Sequence, residues 1–118
     1  MDPFSVTEAM VSWLESLGYD AFSRVPGDMP NEFVTVEREG GRDRDLVDHA
    51  LMAVQCWALT EDAAESLARA VRLALVMGET PAGIHGVTTN AGPYPFYDPE
   101  TRRPRYQLVL EVACRVVS

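Results

Sequence analysis

The chain has no lysine, so all ten of its basic residues are arginines, against 18 acidic residues in a length of 118. Neutralising the phosphates of duplex nucleic acid requires clustered basic side chains, and a formal net charge of -8 argues against such a surface. An arginine-only basic set favours planar, bidentate pairing at interfaces. A GC-rich coding genome is the simpler explanation of that set.

Cysteine and histidine are also scarce, with two of each. Cys56 and Cys114 lie within apolar stretches, which favours small buried thiols in a reducing compartment over a disulfide. His49 and His85 stand outside any spacing that is typical of metal ligands. We therefore expect structural or surface histidines and no metal site.

Sequence signatures of catalysis and of nucleotide binding are missing. The chain contains no Gly-x-Ser-x-Gly elbow, no phosphate loop ending in Gly-Lys-Ser or Gly-Lys-Thr, and no Gly-x-Gly-x-x-Gly segment after a strand. Asp43, Asp45 and Asp48 lie close together, but the glycine and the terminal glutamate of a calcium loop are absent and arginines intervene. We expect no catalytic residue, no cofactor and no enzymatic activity.

Long apolar stretches are lacking as well. No basic segment followed by an apolar one opens the chain, and no apolar run is long enough to cross a bilayer, so we expect synthesis in the cytoplasm and no membrane partner. A hydrophobic content of 47% and a charged content of 24% are typical of a soluble globular protein. Residues 1–118 are therefore predicted to form a single domain that buries about two thirds of its unfolded surface.

Two helices are predicted from their caps and apolar stripes. The first spans residues 5–17, where Ser5 and Glu8 fit a capping box and Gly18 ends the helix. The second runs from residue 60 to residue 77, with Thr60 as N-cap, acidic residues in its first turn and Gly78 at its end. Each helix has one apolar face for packing against a sheet.

Five strands are predicted from alternating or continuous apolar patterns. The strand that begins at Phe33 becomes increasingly polar toward Gly40 and Gly41, which are expected to form a turn with a charged tip. The segment of residues 92–104 is rich in proline and is expected to be a long connection. The predicted strands cover residues 19–25, 33–39, 50–59, 84–90 and 105–117.

The order α-β-β-β-α-β-β predicts an α+β fold with an antiparallel or mixed β-sheet and two helices packed on one face. The other face has no helix to cover it. We expect a half-apolar surface there, and such surfaces are common at association sites, although scattered surface hydrophobes are also normal in monomers. The residues expected on this face are Gln55, Trp57, Val109, Ala113 and Val117.

Two charged clusters are the candidate contact sites, and both are inferred from charge and loop position alone. The residues of the first, which surround the predicted hairpin tip, are Glu37, Arg38, Arg42, Asp43, Arg44 and Asp45. The second comprises Arg102, Arg103 and Arg105, which could clamp carboxylates or phosphates of a partner. A solvated loop is an equally good interpretation of the second cluster.

The chain resembles the tail terminator proteins of long-tailed bacteriophages, which are also called tail completion or minor tail proteins. The resemblance covers most of the chain and depends on the order of several short segments. Those segments are the N-terminal helix, Val25-Pro26, Pro30, residues 33–41, Asp48, residues 55–58, Ala63-Ala64, Leu67-Ala68, Gly92-Pro93, Asp98-Pro99 and residues 104–106.

This resemblance implies a structural subunit that forms a ring, typically a hexamer, on the end of the tail tube. The implied partners are other copies of the chain, the tail tube protein and the head-tail connector protein, in the virion tail and, during assembly, in the host cytoplasm. DNA would pass through the bore without specific binding, and an acidic lining would repel its phosphates.

A small α+β ligand-binding or enzymatic domain is the alternative hypothesis. Its pocket would lie under residues 92–104, with Tyr94, Tyr97 and Arg105 as the polar lining. A host adaptor module with the same layout is a third possibility.

Overall fold

A computed structural model describes residues 2–117, so residues 1 and 118 of the predicted domain lie outside the described range. The elements follow the predicted order, and the α+β class with a mixed sheet is confirmed. They are α1 (Val6–Ser16), β1 (Ala21–Phe22), β2 (Phe33–Arg44), β3 (Val47–Trp57), α2 (Glu61–Met77), β4 (Ile84–Pro95) and β5 (Arg105–Arg115).

Both helices begin at the predicted caps. The Ser5 hydroxyl accepts a hydrogen bond from the amide of Glu8 at 3.2 Å, and the Thr60 hydroxyl accepts one from the amide of Ala63 at 3.1 Å. These bonds satisfy amides that have no partner inside the first turn of a helix. Gly18 follows α1 with a φ of 95°, a conformation that glycine adopts without a steric penalty.

The sheet has the strand order β1-β2-β3-β5-β4. The short β1 is parallel to β2 and pairs only with Val34 and Thr35, whereas all other neighbouring strands are antiparallel. As a consequence, β4 is one outer strand of the sheet. On the opposite side, residues 37–44 of β2 have β3 on one side and no strand of the described chain on the other; we call this segment the free edge.

One hydrophobic core lies between the two helices and a single face of the sheet. It includes alternate residues of β2, β3 and β5 together with one stripe from each helix, which places α1 and α2 on the same face. Cys56 and Cys114 are fully buried in this core as free thiols, as predicted. Burial raises the pKa of both thiols, that of Cys114 to about 11.

The predicted turn at Gly40 and Gly41 is wrong. Strand β2 continues through both glycines to Arg44, and the turn to β3 lies at Asp45 and Leu46. Gly41 serves a close approach of the two strands instead, because it has a φ of 99° and a Cβ there would lie 2.0 Å from the His49 carbonyl oxygen. The pairing of β2 with β3 shifts register between Arg38 and Gly40.

Other boundaries also differ from the prediction. The predicted strand of residues 19–25 is reduced to Ala21–Phe22, and β3 begins at Val47 instead of residue 50. Strand β4 extends through the cis Gly92-Pro93 bond to Pro95. Prolines are compatible with this strand because it is an outer strand with one unpaired side.

Candidate interaction surface

The two ends of the helix-free face of the sheet differ. We call the end that side chains of the chain itself cover the closed end, and the end at the turn between β2 and β3 the open end. At the closed end, the register aligns Thr35, Gln55, Gln107 and Tyr94 across four strands. We call these four residues the polar row. They are not on the helix side, since the core residues of the same strands alternate with them.

Hydrogen bonds link the polar row from one side of the sheet to the other. The Thr35 hydroxyl donates to Gln55 Oε1 at 2.7 Å, Gln55 Nε2 donates to Gln107 Oε1 at 2.7 Å, and Gln107 Nε2 donates to the Tyr94 hydroxyl at 2.7 Å. Thr35, Gln55 and Gln107 are buried, which a continuous network permits because each polar group has a partner. The row therefore fixes the relative positions of β2, β3, β5 and β4.

An aromatic and arginine cluster closes the same end. The rings of Phe33 and Trp57 stack with centroids 5.2 Å apart, and Trp57 Nε1 donates to the Thr35 hydroxyl at 3.0 Å. The Arg105 guanidinium lies 4.8 Å from the Trp57 ring and 4.3 Å from the Phe96 ring, and its Nε donates to the Phe96 carbonyl oxygen at 2.7 Å. Arg105 is thus held between two aromatic rings.

The expectation that Gln55 and Trp57 are exposed on the helix-free face is wrong. Gln55 is 6% exposed and Trp57 is 1% exposed. Gln55 is hydrogen-bonded within the polar row, and the side chains of Phe33 and Arg105 cover the Trp57 ring. The apolar part of the expectation holds in part, since Val109 and Ala113 are half-buried and Val117 is 40% exposed. Covering Trp57 requires no partner subunit.

The predicted arginine cluster of residues 102–105 divides into three different environments. Arg103 donates to the carbonyl oxygens of Pro30 at 2.9 Å and Asn31 at 2.7 Å, and it lies over the Phe33 ring. It therefore joins the loop before β2 to the loop before β5. Arg102 is exposed with a φ of 59°, so it is the cluster member that is most available to a partner.

A shallow cleft borders the closed end, with a volume of about 300 Å³. Arg105, one of the three residues that the alternative hypothesis names, contributes to its wall together with Phe96. Tyr94 instead accepts the bond from Gln107, and Tyr97 is 72% exposed and is not among the lining residues. The lining residues are Ser23, Arg24, Val25, Thr35, Val36, Glu37, Gln55, Trp57, Phe96 and Arg105.

The open end is the tip of the β2-β3 hairpin, which comprises the free edge and the turn residues Asp45 and Leu46. Both turn residues are left-handed, with φ of 54° and 66°, a conformation that is sterically costly for leucine. Leu46 is also 85% exposed. Around it, Arg42, Asp43 and Arg44 are exposed, so the hairpin tip presents an apolar side chain among charges of both signs.

One ion pair anchors the base of the tip on the helix side. Arg38 donates two hydrogen bonds to the Asp48 carboxylate, at 2.6 and 2.7 Å. This bidentate contact holds the pKa of Asp48 below its ordinary value, and the same bond raises the pKa of Arg38. Arg38, one of the predicted contact residues, is therefore engaged within its own chain, a pairing that the sequence prediction missed.

A hydrogen-bond contact between side chains lies at the tip on the helix-free face. His49 Nδ1 is 3.2 Å from the Glu111 carboxylate. Together with Arg42 and Arg44, these residues line a depression of about 200 Å³. The structure thus brings Arg42 and Arg44 together on one face, as the register of Arg42 with His49 and of Arg44 with Val47 requires.

Within residues 2–117, no three histidine, cysteine or acidic side chains are grouped so that they could hold a metal ion. No helix of that range combines the length and apolar character needed to cross a membrane. A scan against protein-family models finds no match to this chain, and neither does a search of curated proteins.

Proposed function

We propose that the protein is a structural subunit of a bacteriophage tail, which assembles with its own copies into a ring on the end of the tail tube. In this role it ends tube growth and joins the tail to the head. Its partners are the tail tube protein and the head-tail connector protein, and DNA passes through the bore without specific binding. The role in a phage tail is inferred from the family resemblance of the sequence. The residues that contact a partner are inferred from the exposure and pairing of side chains in the structure.

The observation that carries the contact surface is a contrast in pairing among the predicted contact residues. Arg38, Arg103 and Arg105 have partners inside the chain. Arg42, Asp43, Arg44 and Asp45 are exposed, and they surround the exposed Leu46. Exposed charges around an apolar side chain on a projecting turn are suited to contact with a partner protein.

The proposal is tested by adding purified protein to tail tube protein of the same genome during polymerisation. We expect tubes of limited length with a ring at one end in negative-stain images, and joining to heads only when the protein is present. Tubes that keep the same length distribution and still join heads would contradict the proposed function.

The cleft at the closed end supports a second candidate, a module that binds a small ligand. Arg24, Glu37 and Arg105 bring charges of both signs to its wall beside the aromatic rings of Trp57 and Phe96. A small carboxylate such as acetate, or inorganic phosphate, is a suitable probe. This candidate predicts a saturable change in the Trp57 indole NMR signal, and it fails if the signal does not move.

A further inference from the structure

The free edge has an unusual order of charges. From residue 37 to residue 44 the sequence is Glu-Arg-Glu-Gly-Gly-Arg-Asp-Arg. Counted inward from the two ends of the segment, Glu37 corresponds to Arg44, Arg38 to Asp43 and Glu39 to Arg42. Each of these three pairs joins an acidic residue and a basic one. Only an antiparallel pairing of this segment with a second copy of itself brings these matched positions opposite each other.

We propose that two copies of this chain pair through their free edges, antiparallel and centred on Gly40 and Gly41, to form a twofold-symmetric dimer of the free protein. In that pairing Glu37 lies opposite Arg44 of the second copy, and Glu39 lies opposite Arg42. Two identical edges that bind each other through the same residues form a closed, isologous contact. This dimer goes beyond the proposed ring and does not depend on it.

The faces of the sheet agree with this register. Within the chain, Glu37 pairs with Ala53, Arg42 with His49 and Arg44 with Val47, all on the helix-free face. A twofold axis perpendicular to the sheet keeps the helix-free faces of both copies on the same side. Glu37 and Arg44 of the second copy therefore meet on one face, as a cross-strand ion pair requires.

Arg38 and Asp43 would meet on the helix side, because their partners in β3 are Met52 and Asp48, which belong to that side. Arg38 is already bonded to Asp48, so this contact contributes less than the other two. Glu37 is also engaged within its own chain, since its carboxylate accepts a hydrogen bond from Gln55 Nε2 at 3.1 Å. The pair that decides the dimer is therefore Glu39 with Arg42, which occurs twice by symmetry.

The length of the available edge fits the same arrangement. Strand β1 covers β2 only at Val34 and Thr35, and the turn at Asp45 and Leu46 ends the strand. In the pairing centred on Gly40 and Gly41, residues 34 and 35 of the second copy lie past residue 45 of the first copy. Strand β1 of the second copy therefore lies next to the turn of the first copy and does not overlap its free edge. Residues 37–44 are also exposed, apart from the half-buried Gly40.

Reversal and restoration of one charge pair is the decisive test. Arg42→Glu places like charges opposite each other twice, which we expect to weaken the dimer on the order of 10-fold to 100-fold. The double variant Glu39→Arg with Arg42→Glu makes the pair complementary again and restores the dimer. Arg102→Glu is the matched control, with the same charge change on an exposed residue outside the free edge, and it should leave the dimer intact.

The mass of each variant is measured by sedimentation equilibrium at low salt and at about 1 M salt, where exposed ion pairs are screened. We expect the wild-type dimer to dissociate at high salt.

Native Cys56 and Cys114 are buried, so introduced cysteines can report the register. A mixture of the single variants Glu39→Cys and Arg42→Cys should form a disulfide-linked heterodimer, and neither variant alone should cross-link.

Three results would overturn the edge dimer: a wild-type monomer at low salt, a dimer that survives Arg42→Glu, or a double variant that stays monomeric. A ring in solution whose mixed cysteine variants fail to cross-link would also overturn it and leave the proposed function standing. Conversely, an edge dimer that has no effect on tail tubes would contradict the proposed function alone.

Discussion

The closed end and the hairpin tip lie on the same two strands, β2 and β3, yet their polar side chains have opposite roles. At the closed end, the polar row and the arginines bond to partners in the same chain, and Trp57 is 1% exposed. At the hairpin tip, Leu46 is 85% exposed and Arg42 and Arg44 face solvent. The first arrangement stabilises the fold, whereas the second leaves charge and apolar surface available for association.

This contrast shows that an arginine cluster in a sequence does not by itself indicate a binding surface. Arg103 and Arg105 belong to the densest basic segment of the chain, but they connect its own loops and rings. Arg42 and Arg44 alternate with acidic residues and remain exposed. Mutations at the two ends should therefore separate loss of folding from loss of association.

The largest effect is expected for Trp57→Ala. The variant removes a buried ring that stacks on Phe33 and donates to Thr35, and such truncations cost about 3–5 kcal/mol. The free energy of unfolding, measured with urea, should fall by that amount. Leu46→Ala at the hairpin tip is the matched control and should change it by less than about 0.5 kcal/mol. Equal losses in both variants would contradict the division of the hairpin into two ends.

Arg103→Ala should have the next largest effect. It removes the hydrogen bonds to the carbonyl oxygens of Pro30 and Asn31 and the contact with Phe33. We expect a loss of about 1–3 kcal/mol, since bonds from a charged donor are stronger than neutral ones. Its neighbour Arg102 is exposed, and Arg102→Ala should be close to neutral in the same urea titration. A neutral Arg103→Ala would instead mean that the Arg103 contacts add nothing to the stability of the fold.

Asp48→Asn tests the ion pair at the base of the tip, with an expected loss of about 1–2 kcal/mol at neutral pH, because the Arg38 side chain is 36% exposed and partly screened. Since the folded-state pKa of Asp48 lies below its ordinary value of 3.8, this stabilisation is complete above that value and disappears as the pH falls through the lower pKa. Urea titrations across this range should show wild type and variant converging in acid. A constant difference would contradict the assignment.

Much of the fold could be predicted from the sequence because its signals are local. The caps at Ser5 and Thr60 and the apolar stripe of α2 depend on residues within one or two turns. The alternation in β5 predicted its core side correctly, with Leu108, Leu110 and Val112 fully buried. Each of these features needs no information about distant parts of the chain.

The turn and the closed end could not be predicted because they depend on contacts between distant residues. Gly41 is needed where β3 approaches β2, although two adjacent glycines are also typical of a turn. Gln55, the one polar residue in an apolar stretch, was visible in the sequence. Its partners Thr35 and Gln107 are 20 and 52 residues away, and periodicity within one strand does not reveal them.

The smallest effect on stability, and the most informative one for association, is expected for the double reversal of Arg42→Glu with Arg44→Glu. Both side chains are exposed at the hairpin tip, so the free energy of unfolding should change by less than about 0.5 kcal/mol. Association with tail tubes should nevertheless be impaired, because the altered charges lie on the surface that the proposed function assigns to a partner. Co-sedimentation with tubes measures this, and the double variant of Arg24→Glu with Arg69→Glu, two exposed arginines outside the hairpin tip, controls for the same change of net charge. Normal tube binding by the double variant would remove the hairpin tip from the surface that contacts the tail tube.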